Sequence, residues 1–121
     1  MVDGYDGNPA LLNSKELVLK CLKELPKNLG MKTLSSPQVF EAPDNGFKDP
    51  GGWSGFVVIS ESHISVHTFP KRGFISADIY TCKNGLNTEY VIKYLKDIFK
   101  LKDVETNFVK RGTRYPQRNL S

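Results

Sequence analysis

Residues 54–82 read SGFVVISESHISVHTFPKRGFISADIYTC, three strand-like runs that follow one another with almost no connecting sequence. Val, Ile, Phe and Thr recur through Ser54–Glu61, His63–Phe69 and Phe74–Cys82, residue types that suit a pleated, half-buried surface. Between the second and third runs stands only Pro70-Lys71-Arg72-Gly73, a short hairpin loop. If Phe69 and Phe74 flank that loop, antiparallel partners carry numbers that sum to 143, so His67 faces Ser76, Ser65 faces Asp78 and Glu61 faces Cys82. Alternate residues of a strand share a face. Ile64, Val66 and Thr68 then lie on one side with Ile75, Ala77 and Ile79. His63, Ser65, His67 and Phe69 lie on the other with Ser76, Asp78, Tyr80 and Cys82, and Cys82 falls beside the Glu61–Ser62 bond. A slip of one residue would exchange the two faces.

So many reactive groups on one face admit three readings. The face is the wet side of a half-exposed sheet, which suits Ser65 and Ser76. Alternatively it holds a metal, with His63 and His67 joined by Asp78 or Cys82. Two histidines at i and i+4 of a strand stand about 13 Å apart, too far for one ion, so no metal is expected. The third reading is an activated nucleophile, the Ser62 hydroxyl beside a histidine base with a thiol nearby. Ser62 has no Gly-x-Ser-x-Gly elbow and no clear Asp-His-Ser relay. Residue chemistry alone leaves it a candidate reactive site.

Working outward, residues 1–12 contain Asp3-Gly4, Asp6-Gly7 and Asn8-Pro9 and read as a loosely held entry segment. A helix is expected after Asn13, capped by Asn13 with Glu16 in capping-box position. Leu17, Val18, Cys21, Leu22 and Leu25 form its apolar stripe, and Pro26 and Gly30 end it. Cys21 falls on that stripe and reads as a small core hydrophobe. A strand from about Lys32 to Phe40 precedes the loop EAPDNGFKDPGGW, of a length that is often functional. A second helix starts at Asn87, burying Val91, Leu95, Ile98 and Phe99 and exposing Lys93 and Lys96. A last strand is expected over Val104–Val109. No segment repeats, and the economical packing is an α+β two-layer sandwich, a mainly antiparallel sheet with two helices packed on one face.

Length and composition set outer limits. A chain of 121 residues suffices for a single domain, 1–121, with one core. Its 39% hydrophobic and 25% charged content is that of an ordinary soluble globular chain. The start MVDGYDGNPA lacks the basic and apolar regions of a signal peptide, and no apolar run is long enough for a bilayer. A cytoplasmic protein with no membrane partner is the expectation. Cys21 and Cys82 fit no CxxC pattern and are expected as reduced thiols. A net charge of +4 is mild, and Lys110, Arg111, Arg114 and Arg118 near the end read as a solvated tail. Without interleaved aromatics, they point to no nucleic-acid partner.

The quoted block closely resembles the core of the bacterial and archaeal pyruvoyl-dependent S-adenosylmethionine decarboxylases. The resemblance is carried by Ser54-Gly55, an apolar strand, Glu61-Ser62-His63, a histidine four residues on at His67, the turn Phe69-Pro70, and a strand ending in Thr81-Cys82. It is specific over these residues, looser over the second helix and Arg111-Gly112, and only an outline before them.

This resemblance implies a proenzyme that cuts itself between Glu61 and Ser62 into residues 1–61 and 62–121. The Ser62 hydroxyl would attack the Glu61 carbonyl, Ser54 would assist, and His67 would take the Cα proton for elimination. A pyruvoyl group made from Ser62 would then be the cofactor, forming a Schiff base with the substrate amine, and Cys82 would be the proton donor to the product. Phe47 or Trp53 of the long loop would stack on a base, with Phe69 and Lys71 in the substrate pocket; Trp53 also reads as a staple between loop and core. The family assembles as dimers, and a homodimer making decarboxylated S-adenosylmethionine for spermidine synthesis is what the resemblance suggests. Where the family has an acid near the substrate ribose, this chain has Lys71, a cation that accepts no hydrogen bond from a hydroxyl. Relatives of this fold decarboxylate arginine or ornithine, so a basic amino acid is the second substrate candidate. A non-processing paralogue that only binds a metabolite or partner is the candidate from another class.

Overall fold

The structure, a computed structural model, describes residues 1–43, 51–60, 62–81 and 87–107. Six strands make one sheet: β1 (Val2–Tyr5), β2 (Gln38–Ala42), β3 (Gly52–Ile59), β4 (Ser62–Phe69), β5 (Phe74–Thr81) and β6 (Asp103–Thr106). Their order across the sheet is β2-β3-β4-β5-β1-β6, and every pairing is antiparallel. Partner numbers along β4 and β5 sum to 143, from Ser62↔Thr81 through Phe69↔Phe74, as the hairpin loop requires. That loop is a 3-10 turn, Pro70–Arg72, closed by Gly73 at φ 63°, a left-handed conformation that glycine adopts without strain.

Helix α1 (Pro9–Leu12), helix α2 (Lys15–Asn28) and helix α3 (Thr88–Phe99) complete the described fold. Helix α2 lies over β3 and β4, and α3 lies by β1 and β6. Val18, Cys21, Leu22 and Leu25 of α2 and Val91, Leu95 and Phe99 of α3 are buried with Val57, Ile59, Ile64, Val66, Ile75 and Ala77 from one face of the sheet. This is the expected two-layer α+β arrangement. Burial pushes the Cys21 thiol up to about 12, with nearby Glu24 adding to the effect. Since the folded state keeps that proton longer than the unfolded chain, Cys21 contributes stability that is whole below its ordinary value of 9.0 and is lost as pH rises towards about 12. Melting followed across that window is expected to show a decline of up to about 1.4 kcal/mol per pH unit from this group, and Cys21→Ala should flatten it.

The amino-terminal segment is not loose. Val2–Tyr5 is the strand between β5 and β6, and Asn8 caps α1 by accepting from the Leu11 N–H at 3.1 Å. The Asp3-Gly4 pair, which reads as a turn, serves packing instead: a Cβ on Gly4 would meet Ile75 Cγ2 at 2.9 Å and the Leu101 side chain. Helix α2 is capped by Ser14, whose Oγ accepts from Leu17 N–H at 3.1 Å, because Asn13 already closes α1. Pro26 lies inside α2, which runs on to Asn28. The strand expected over residues 32–40 is broken. Thr33 bridges Ile59, then the Ser35 hydroxyl takes the Val58 N–H in place of a backbone carbonyl, and regular pairing resumes at Gln38. Of the last expected strand, Asp103–Thr106 is formed, while 108 and 109 lie outside the described residues.

Gly52 fixes the approach of β3 to the end of β4. Its φ is 154°, and a Cβ there would run into the Thr68 carbonyl. Next to it, the buried Thr68 hydroxyl accepts the Trp53 N–H at 3.1 Å. Gly52→Ala is therefore expected to destabilise the fold by about 2–4 kcal/mol in urea denaturation.

Candidate active site

Both long helices lie on one face of the sheet, so the polar face foreseen for β4 and β5 is the open one. Register places side chains there in rows. One row runs Phe40, Ser54, His67, Ser76, Asp3, Glu105 across all six strands. Within it, His67 Nδ1 lies 2.9 Å from Ser54 Oγ. Ser54 is half-buried and His67 exposed, so the imidazole reaches outward while its orientation is fixed from below.

Ser62 begins β4, half-buried, with its backbone between Ile59 and Thr81. Its Oγ lies 3.1 Å from His63 Nδ1. The His63 ring in turn packs 5.6 Å from that of Tyr80, its partner across β5. The structure thus makes two serine–histidine pairs along β4: Ser62–His63 at its start, and near its end His67 with Ser54 of the neighbouring β3. Ser62 and His67 are five positions apart along the strand, about 16 Å at the usual rise. One chain does not bring these two together.

Aromatic rings flank both ends of the open face. Phe69 and Phe74 are 5.6 Å apart and Tyr5 lies 5.4 Å from Phe74, so Phe69 is part of a wall of three rings beside the His67 row. The Tyr5 hydroxyl donates to Glu105 at 3.2 Å. Desolvation, then the charge and hydrogen bond of Glu105, push its ionisation upward. On the other side, Phe40 and Phe56 stack at 6.4 Å, 54% and 37% exposed, beside the half-buried Ser54. Sequence reasoning passed over Tyr5 and Phe40 because it had no strand 2–5 and began the second strand too early; the alternation in QVFEA was the available signal.

Other candidates stand elsewhere. Trp53 is on the helix side, where its indole N–H donates to the Asn13 carbonyl at 3.0 Å and its ring packs on the core; this is the geometry of the staple. Lys71 is exposed in the 3-10 turn two residues after Phe69. Glu61, Cys82 and Phe47 lie outside the described residues, as do Lys110, Arg111, Arg114 and Arg118. The register holds up to Ser62↔Thr81, the pair before Glu61 and Cys82. Among the described residues, no three His, Cys, Asp or Glu gather in a way that would hold a metal ion, and no helix is long and apolar enough to cross a membrane.

Comparison with known proteins gives one answer. The family described as S-adenosylmethionine decarboxylase matches residues 1–112. A protein of Acetivibrio thermocellus named S-adenosylmethionine decarboxylase proenzyme is 36% identical over 108 residues, 89% of this chain and 82% of its own length. One of the same name from Clostridium botulinum is 32% identical over 112 residues, covering 93% and 90%. Among solved structures, the adenosylmethionine decarboxylase of Aquifex aeolicus superposes with a TM-score of 0.69 at 21% identity, over 93% of this chain and 91% of that one; this likeness is one of fold.

Proposed function

The chain belongs to the S-adenosylmethionine decarboxylase family, and from that membership we propose that it is made as a proenzyme, cuts itself between Glu61 and Ser62, and decarboxylates S-adenosylmethionine as a carboxy-lyase. The observation that carries this reading is the 2.9 Å Ser54–His67 bond. Two residues that the resemblance gives to self-processing, distant in sequence, are joined by the register of β3 and β4.

The substrate of the first reaction is the backbone. Ser62 Oγ adds to the Glu61 carbonyl carbon, the bond from that carbon to the Ser62 nitrogen breaks, and the hydroxyl proton ends on that nitrogen, leaving an ester. A hydroxyl held against its own peptide bond reacts at high effective concentration, worth about 7–11 kcal/mol when alignment is good. His67 then removes the Ser62 Cα proton, the Cβ–Oγ bond breaks, and Glu61 departs as a carboxylate, with Ser54 fixing the imidazole. Water replaces ammonia at the resulting dehydroalanine.

A strand-initial serine whose hydroxyl already meets an imidazole fits a residue converted in this way to a pyruvoyl group. When present, such a group supplies an electron sink for decarboxylation. Cys82, following the residue opposite Ser62, is the proposed proton donor; a thiol with an ordinary pKa of about 8.5 is mostly protonated at neutral pH. Phe69, with Phe74 and Tyr5, offers an aromatic wall to the substrate, and Phe47 of the long loop is the further candidate for base stacking.

The separation of about 16 Å along β4 has a consequence for assembly. His67 acts on the Ser62 Cα of a second copy, with the two open faces together. Phe40, Phe56 and Val58, all more than a third exposed on that face, are the apolar surface such a homodimer would cover. The protein acts in the cytoplasm, without membrane or nucleic-acid partner, and its product serves spermidine synthesis.

Release of labelled carbon dioxide from carboxyl-labelled S-adenosylmethionine, arginine and ornithine tests the substrate. Lys71, where the family has an acid near the ribose, favours a basic amino acid as the second reading. With S-adenosylmethionine as substrate, Lys71→Glu is expected to lower KM roughly tenfold, the worth of one hydrogen bond of about 1.4 kcal/mol. Turnover of arginine or ornithine alone by the wild type would establish the second reading instead.

A further inference from the structure

His63 has the one imidazole that touches the reacting hydroxyl in this structure. Its Nδ1 stands 3.1 Å from Ser62 Oγ, and its ring rests against Tyr80 with centroids 5.6 Å apart at 42°. The ring contact follows from register, since His63 pairs with Tyr80, while the Ser62 contact joins adjacent residues of β4. His67 lies four residues further along the strand and is bonded to Ser54. The first step of self-cleavage must carry a proton from Ser62 Oγ to the Ser62 nitrogen, two atoms of one residue, and His63 is the adjacent residue.

We propose that His63 is the acid–base catalyst of that acyl shift, an inference that rests on the self-cleavage reading above. With its hydrogen on Nε2, the imidazole accepts the Oγ proton at Nδ1 as Oγ bonds to the Glu61 carbonyl carbon. As that carbon's bond to the Ser62 nitrogen breaks, Nδ1 passes the proton to the departing nitrogen. One C–O bond forms, one C–N bond breaks, one proton changes partner, and His63 returns to its starting state. Tyr80 sets the tilt of the ring and is a positioning residue. The two imidazoles divide the reaction: His63 makes the ester and His67 eliminates it.

The test follows freshly made precursor by intact mass, for the wild type, His63→Ala, His63→Asn and His67→Ala. His63→Ala is expected to slow loss of the full-length chain about 10²–10⁴-fold, the usual worth of a general acid–base group, and added imidazole should restore part of the rate. Hydroxylamine separates the steps, because it cuts an ester and leaves an amide intact. His67→Ala should accumulate a chain that hydroxylamine cuts between Glu61 and Ser62, whereas His63→Ala should resist it. His63→Asn can still hydrogen-bond to Ser62 but is no base, so it should be as slow as His63→Ala; it serves as the second variant if His63→Ala does not fold. Wild-type speed in either His63 variant overturns the role, and so does a hydroxylamine-sensitive ester in His63→Ala. If the wild type itself stays uncut, the self-cleavage reading falls and takes this inference with it; a wild type that is cut while His63→Ala is cut equally fast overturns the inference alone.

Discussion

Replacing Ser62 by alanine is expected to leave a single full-length chain and to abolish decarboxylation entirely, because the proposed mechanism draws on one oxygen for both. Without Oγ no ester forms, so the Glu61 carbonyl stays in an amide. No leaving group then stands on Cβ, so no elimination follows and no ketone can arise at this position. The change is small in every other respect. Ser62 is half-buried at the first position of β4 and its backbone pairing with Ile59 and Thr81 does not use the side chain. Losing the hydrogen bond to His63 Nδ1 costs about 0.5–1.5 kcal/mol. The variant should therefore fold, melt near the wild type, and be inert. Intact mass, a melting curve and carbon dioxide release check all three statements; a Ser62→Ala protein that still cleaves would move the nucleophile elsewhere.

Two dead variants are expected to revive each other. Ser62→Ala keeps the Ser54–His67 pair but has nothing to cleave. His67→Ala keeps the proposed nucleophile but loses the proposed base for elimination. If each site is built from two copies, a mixed dimer sets the intact Ser62 of one chain against the intact His67 of the other. Produced together, the two should yield cut chains only from the His67→Ala partner, which mass distinguishes. Produced alone, Ser62→Ala should give no pyruvoyl chain, and His67→Ala should form it roughly 10²–10⁴-fold more slowly, the usual worth of an acid–base group. Mixed dimers that form and yet stay uncut would show that His67 reaches Ser62 within one chain, against the strand geometry.

What the sequence disclosed and what it withheld divide along physical lines. The four-residue loop between Phe69 and Phe74 admits few registers, so the pairing of β4 with β5, and with it the polar face, could be read from numbers alone. Helix α3 announced itself by the Asn87 cap and the spacing of Val91, Leu95 and Phe99. The amino-terminal strand was hidden because glycine has two uses: Gly4 looks like a turn residue, while its role is to let Leu101 and Ile75 approach. The capping residue of α2 was displaced by one because a short preceding helix, invisible as a four-residue pattern, had already claimed Asn13. At the site, Ser54 and His67 were named by resemblance, and only the register of β3 with β4 gave their hydrogen bond. Trp53 went the other way: an aromatic beside a long loop suggests stacking, but strand alternation turns it to the helix side and onto the Asn13 carbonyl.

The most direct measurement is the denatured intact mass of the purified wild-type protein after prolonged incubation. Two species are expected, residues 1–61 with a free carboxylate at Glu61, and residues 62–121 lighter by one ammonia than a chain beginning with serine. One undiminished mass for the whole chain would contradict the account, and the Ser62–His63 and Ser54–His67 pairs would then belong to a binding protein.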